Sequence, residues 1–155
     1  MSASSVLTQL AASLVGTIAF SLLFGIPKKY YAACGAIGMT GWGAYLFFRL
    51  FLGPTFSTVF AAVIVVFLSR LCAVLLLCPA TVFLIAGIFP LIPGGGIYWT
   101  TYYLVVGMQN LAVKTGYSAV KTAAAIVLGI VLVGLIPQKV FRFLGARFSK
   151  GAARE

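Results

Sequence analysis

Pro90 and Pro93, followed by Gly94, Gly95 and Gly96, interrupt an apolar stretch that otherwise reads as a membrane helix. This break constrains the chain more than any other feature. Neither proline has an N–H to donate, so the carbonyls of Ala86 and Phe89 lose their helical partners. The N–H groups after Gly94 open a second half-helix with no carbonyls four residues back. In hydrocarbon such a break survives where it is buried in protein or lines a wet cavity. Discontinuous helices of this kind mark solute sites in transporters. The break is therefore read in two ways, as a structural hinge or as the lining of a solute path.

Lipid enters the argument through composition. Of 155 residues, 63% are hydrophobic and 8% are charged, more apolar surface than a soluble domain of this length covers. No polar linker divides the chain. Five apolar segments emerge, at about 6–26, 30–48, 56–78, 80–112 (broken) and 118–136. Four of them are close to the ~20 residues that cross ~30 Å of hydrocarbon. The fourth, at 33 residues, would reach ~50 Å as a straight helix, so it must bend, tilt or dip back. The expected fold class is an all-α polytopic membrane protein of about five transmembrane helices. Residues 1–137 form the membrane domain and 138–155 a basic cytoplasmic tail. The first segment reads as a retained helix, because no basic residue precedes it and no small-residue cleavage site follows.

Net charge is +10, from eleven Lys and Arg against one acid, Glu155. The basic residues stand at the ends of apolar spans, a placement set by membrane topology rather than by nucleic acid. A single broken crossing puts Lys28, Lys29, Lys139, Arg142, Arg147, Lys150 and Arg154 inside, and Arg49, Lys114 and Lys121 outside. A fully re-entrant segment gathers Lys28, Lys29, Lys114 and Lys121 on one side, a poorer fit to the positive-inside rule. The N-terminus is then expected outside and the C-terminus in the cytoplasm. The tail interleaves basic residues with Val140, Phe141, Phe143, Leu144 and Phe148, the pattern of an interfacial segment held by anionic lipid.

Arg70 is the one charge well inside a span, where insertion scales price it at ~2.5–3.5 kcal/mol. With no intramembrane acid in the chain, its partner is a set of carbonyls, water, another subunit's carboxylate or a solute's. Snorkelling or structural pairing and a place on a transport path are both open. After the break, Tyr98, Thr101, Tyr102, Val105 and Gln109 recur at three- and four-residue spacing, one face of a continuous helix. That face suits a small polar solute, and the half-helix start favours an anion. Tyr98, Trp99, Tyr102 and Tyr103 equally fit an aromatic belt at the membrane interface. Ala32, Gly35, Gly38 and Gly41 recur every three residues, and Ala12/Gly16 and Ala125/Gly129 every four. Such faces let helices approach closely, either within this chain or against another subunit.

What is missing also bounds function. There is no His and no Asp, and no phosphate loop or nucleophile–base pair, so neither catalysis nor direct ATP use is expected. Cys34, Cys72 and Cys78 lack metal-ligand spacing and read as packing residues; no cofactor or metal is expected. A proton relay, which in membranes uses Asp, Glu or His, would have to lie on another polypeptide.

The run Pro79-Ala80-Thr81-Val82-Phe83, then Ala86-Gly87-Ile88-Phe89-Pro90-Leu91-Ile92-Pro93-Gly94-Gly95-Gly96-Ile97-Tyr98, resembles the threonine/serine exporter family. It is similar to the small, YjjB-like membrane subunit of the split type. Pro27, Cys34-Gly35, Gly38, Gly41-Trp42, Ser69-Arg70 and Gly116-Tyr117-Ser118 extend the likeness along nearly the whole chain. The resemblance implies a secondary exporter of small carboxylate-bearing metabolites, threonine and serine or a dicarboxylate such as succinate, in the bacterial inner membrane. It also implies a larger membrane subunit as partner. Expected path residues are Arg70, Pro90, Pro93, Gly94, Gly95, Gly96, Tyr98, Thr101, Tyr102 and Gln109. The rival readings are a non-transporting assembly subunit and an autonomous homo-oligomeric channel.

Overall fold

The computed structural model describes residues 3–141 and 143. They form six α-helices: α1 (Ala3–Leu23), α2 (Tyr31–Phe48), α3 (Pro54–Leu75), α4 (Ala80–Ile88), α5 (Gly94–Val105) and α6 (Gln109–Gly134). Short 3₁₀ turns at Lys28–Tyr30 and Phe89–Leu91 join α1 to α2 and extend α4. The chain is a multi-pass, all-α membrane protein. Three helices, α1, α3 and α6, are long and apolar enough to span a membrane, and counting α4 and α5 as one bent span makes four. In α2 the glycines at 35, 38, 41 and 43 dilute the apolar text, and the helix is packed by α1, α3 and α4.

Close approach explains why α2 sits there. A Cβ on Gly35 would meet Ile18 and Leu14 of α1, one on Gly38 would meet Thr17, and one on Gly41 would meet Val65 of α3. In turn a Cβ on Gly87 of α4 would stand 2.6 Å from Ile37 Cγ2. Apolar tails outside a helix are as oily as its side chains, so backbone proximity and dispersion supply the attraction. The glycine row therefore serves packing within the chain. So does Ala125/Gly129, since Gly129 lies against Ala62 and the backbone of α3. Gly16 of α1, by contrast, has nothing within 4 Å of a Cβ.

Buried hydroxyls line the same seam. Thr17 and Ser21 donate to the carbonyls one turn back, Ser13 O at 2.7 Å and Thr17 O at 2.8 Å. Ser13 instead crosses to Gly38 O of α2 at 3.0 Å. Each is satisfied without water, as a lipid-embedded seam requires. Apolar packing continues through Cys34, Ile37, Ala61, Val65 and Phe83, with Tyr30 edge-on to Phe83 at 5.4 Å.

Three helix boundaries differ from the sequence reading. The broken fourth segment, expected to reach residue 112, ends at Val105. Gly107 turns the chain at φ +82°, a conformation glycine adopts without a Cβ clash, and Met108 N–H closes the turn on Tyr103 O at 2.8 Å. Helix α6 then starts at Gln109 rather than 118. The gap at 113–117 between the expected segments, with Lys114, Thr115 and Gly116, is part of this 26-residue helix. At 1.5 Å per residue that helix is ~39 Å long, so its polar first turns extend beyond a ~30 Å apolar slab.

Helix α3 ends at Leu75, three residues short of the expected 78. Its C-terminal turn is closed by Leu76 N–H on Cys72 O (2.8 Å) and Cys78 N–H on Ala73 O (3.1 Å). Between them Leu77 has φ +48° and is 93% exposed, the position where this cap normally holds glycine. A left-handed leucine costs ~1–2 kcal/mol. Leu77→Gly is therefore expected to raise the thermal midpoint in detergent by the equivalent of ~1 kcal/mol, and Leu77→Val, β-branched, to lower it. Equal midpoints for both variants would contradict this account.

Candidate functional site

The break is tight and largely self-satisfied. Phe89 N–H bonds to Ala86 O, and Ile92 N–H bonds to Phe89 O at 3.1 Å. The two carbonyls that the prolines deprive of helical partners thus take i→i+3 partners instead, which is why the chain tightens into a 3₁₀ turn there. Across the break, Gly94 N–H meets Ile92 O at 2.8 Å and Ile97 N–H meets Pro93 O at 3.0 Å. The two arms are bent by 53°. Phe89 stacks on Phe20 of α1, which fixes the elbow against the bundle.

Two small chambers flank the elbow. One, of about 210 Å³, is walled by Trp42 and Tyr45 of α2, Thr58 of α3, Pro90 and Pro93 of the break, and Thr122 of α6. The other, of about 240 Å³, lies between Gln9, Ala12 and Ser13 of α1, Trp42 and Pro90. Trp42 and Pro90 belong to both. The indole Nε1–H of Trp42 donates to Gln9 Oε1 at 3.3 Å, and its ring lies 5.1 Å from Tyr45. One turn further along α2, Arg49 Nη1 donates to the Tyr45 hydroxyl at 2.7 Å. The Trp42 N–H is thus taken by Gln9, and the Thr58, Thr122 and Ser13 hydroxyls donate to Pro54 O, Ser118 O and Gly38 O, which leaves the hydroxyl oxygens as acceptors and the Tyr45 phenol as a donor.

Arg70 stands elsewhere. Thr58 and Arg70 lie twelve residues apart on α3, or ~18 Å along the helix at 1.5 Å per residue. Its guanidinium Nη1 donates to Val133 O at 3.0 Å and Ile136 O at 2.9 Å. These carbonyls belong to the last turn of α6 and the residues just past it, where the dipole end is negative; Val133 O also accepts the Ile136 N–H at 3.1 Å. The same guanidinium lies 5.4 Å from the centre of the Phe141 ring. Beside it opens a cavity of about 730 Å³ reaching Cys78, Pro79 and Gln138. Of the partners open to Arg70 on sequence grounds, the fold supplies carbonyls.

The remaining expected residues disperse. Gly94 and Gly95 have nothing within 4 Å of a Cβ, while Gly96 packs on Ala119 of α6 at 3.2 Å. Helix α5 buries no residue, and Tyr98, Thr101 and Tyr102 are exposed on it. Trp99 clusters with Tyr98, Tyr102 and Tyr103 at 5.4–5.8 Å between ring centres. The threonine that faces α6 is Thr100, whose hydroxyl donates to Gly96 O at 2.7 Å and lies 3.0 Å from Thr115 Oγ1. Gln109 does not extend the Tyr98–Val105 face, because the Gly107 turn places it on the next helix.

Phe141 is 1% exposed and packs on Phe67 at 5.3 Å, so packing continues past the expected domain boundary at 137. Lys139, Val140 and Phe143 are exposed; Arg142, Leu144, Arg147, Phe148, Lys150 and Arg154 lie outside the described residues. Sequence reading passed over Gln9, Tyr45 and Arg49. The spacing of Trp42, Tyr45 and Arg49, three and then four residues, was the available signal.

Comparison with known proteins places this geometry. The family described as "Threonine/Serine exporter, ThrE" matches residues 9–136. A threonine/serine exporter of Corynebacterium glutamicum is 31% identical over 134 residues, covering 83% of this chain and 26% of the relative. The chain thus spans about a quarter of the length of that curated relative. No solved structure matches. The matched region takes in the break, both chambers and Arg70, and on this footing the chain belongs to the threonine/serine exporter family.

Proposed function

We propose that this chain is the small membrane subunit of a secondary exporter of small carboxylate-bearing metabolites, threonine and serine or a dicarboxylate such as succinate. A larger membrane subunit works with it in the bacterial cytoplasmic membrane, the N-terminus outside and the C-terminus inside. The observation that carries this reading is the bent span at Pro90–Pro93 with a small, mostly apolar space of mixed lining on either side of Trp42, the one beside Gln9 a shallow open groove. A packed bundle with no solute to pass has little use for two such spaces beside a broken helix. Composition supports a partner, since the one acid is Glu155 and coupling to protons takes Asp, Glu or His within the membrane. In this reading the Arg70 cavity is the cytoplasmic entrance and the chambers lie ~18 Å further along α3. Gly94 and Gly95, with open space around them, face the partner or the path.

The test is efflux of labelled threonine, serine and succinate from cells making this chain alone, the candidate companion alone, and both. Efflux with both and with neither alone is the expected result, and the preferred solute names the substrate. Efflux from this chain alone would replace the two-subunit reading with a homo-oligomeric one. A second reading has its own support in α5, which buries nothing and presents an aromatic face: an assembly subunit that docks through α5 and does not transport. It requires the stabilised companion to export at full rate by itself.

A further inference from the structure

We propose that Arg49 and Tyr45 form an oxyanion subsite at the Pro90 chamber, and that its occupant is the carboxylate of the small solute. This inference rests on the exporter reading above and deepens it, because it moves carboxylate recognition from Arg70 to the other end of the bundle.

The argument begins with how the two arginines are engaged. Arg70 Nη1 is held by two carbonyls at a helix C-terminus and its guanidinium lies over the Phe141 ring. Its charge already answers the negative end of the α6 dipole. Arg49 has no such partner. Among the described residues its contacts are with Tyr45 alone, the hydroxyl at 2.7 Å and the ring at 5.7 Å, and a phenol neutralises nothing. No acid stands among the described residues, since the one carboxylate side chain is Glu155. A guanidinium presents five N–H groups in a planar fork that fits a carboxylate with two parallel bonds. With Nη1 resting on Tyr45, Nε and Nη2 keep that fork available.

Placement gives the fork a purpose. Tyr45 belongs to the wall of the 210 Å³ chamber, with Trp42 and Pro90, and Arg49 is one turn beyond it on the same helix face. The Tyr45 oxygen accepts from Arg49, which turns its own O–H away and leaves it free to donate. Arg49 is exposed and stands outside the lining itself, so an oxyanion on its guanidinium sits beside the Tyr45 hydroxyl, at the outer side of the residue that it shares with the chamber wall. At ~30 Å³ per water, the chamber holds the equivalent of about seven waters, room for a solute of a few heavy atoms. Two oxyanions share this chemistry, a solute carboxylate and a lipid phosphate. The chamber behind the pair, walled by hydroxyls and an indole, favours the solute.

The chain contains two tryptophans, and Trp42 lies in the chamber wall, so a Trp99→Phe protein reports from the site itself. Full-length protein in phosphatidylcholine nanodiscs would be titrated with L-threonine, succinate and L-threoninamide, which lacks the carboxylate. The expected result is a saturable change in Trp42 emission with threonine or succinate, and at least tenfold weaker response to threoninamide. Arg49→Gln should weaken the carboxylate response at least tenfold while leaving threoninamide within about twofold, and Arg49→Lys should restore part of it. The proposal is overturned if Arg49→Gln titrates like its parent, or if threoninamide matches threonine. It is also overturned if Arg49→Gln lowers the thermal midpoint in nanodiscs but not in phosphate-free detergent while no solute response depends on Arg49, which would make the occupant a lipid phosphate. A parent protein blind to both carboxylates, with two-subunit efflux intact, removes this subsite and spares the exporter reading. Blindness together with absent efflux removes both.

Discussion

Gly129→Val is expected to leave almost no folded protein, and even Gly129→Ala to lower the thermal midpoint in mild detergent. A Cβ at this position stands 2.6 Å from Ala62 Cβ, 3.0 Å from Val59 O and 3.1 Å from Val63 N. Two of those three atoms are backbone and the third is a methyl with no rotamer, so nothing can swing aside. The contact yields only if α6 moves off α3 over the length of their seam. Overpacking of this kind costs ~1–3 kcal/mol for a methyl or two, and a helix moving away from its neighbour forfeits dispersion along the whole interface. The opposing gain, from replacing glycine by alanine within a helix, is ~0.5–1 kcal/mol. The clash wins. The comparison is Gly16→Ala on α1, where nothing lies within 4 Å and the midpoint should hold or rise. The account fails if Gly129→Ala melts with the parent or if Gly16→Ala is the more damaging of the two.

The second large effect is expected at Arg70. Arg70→Gln removes the guanidinium from the carbonyls of Val133 and Ile136 and from the Phe141 ring. Hydrogen bonds made by a charged group are worth ~1.5–3 kcal/mol; Val133 O keeps the Ile136 N–H, but Ile136 O loses the Arg70 donor in a setting where lipid offers none. A loss of ~2–3 kcal/mol follows, read as a lower midpoint and as less protein in the membrane. Phe141→Ala should cost ~3–5 kcal/mol by emptying the space against Phe67. The two changes act on one cluster, so the double variant should fall short of their sum. Export by Arg70→Gln cells, normalised to the protein present, separates a latch from a path residue. A latch keeps the rate per molecule. Loss of rate at unchanged midpoint would return Arg70 to the transport path.

Local chemistry decided how much of this could be read in advance. The elbow at Pro90–Pro93 was legible because proline and glycine act on their own backbone, and the glycine row of α2 because its spacing states its use. The turn at Gly107 was missed. A lone glycine between Val106 and Met108 is a weak signal beside Lys114, Thr115 and Gly116, whose polar text looks like the loop until a long helix lifts them out of the apolar layer. The chamber was beyond reach. Its walls come from four parts of the chain, and no periodicity within any one of them encodes the meeting. The partner of Arg70 was equally hidden, since Val133 is 63 positions away.

That separation has a consequence for how the protein is made. At ~5–20 residues per second, Val133 is synthesised roughly 3–13 s after Arg70, and α6 cannot close on α3 before then. Helices α1 to α4 meet their neighbours almost as they emerge, because α2 packs on α1 and α3, which flank it in sequence. Throughout that interval the flank of α3 that will receive Gly129 stays bare and its guanidinium waits for the carbonyls that will hold it. The half-built bundle is thus a distinct client for membrane chaperones and proteases, and a slow or truncated α6 would be disposed of at this stage rather than accumulate as a misfolded subunit.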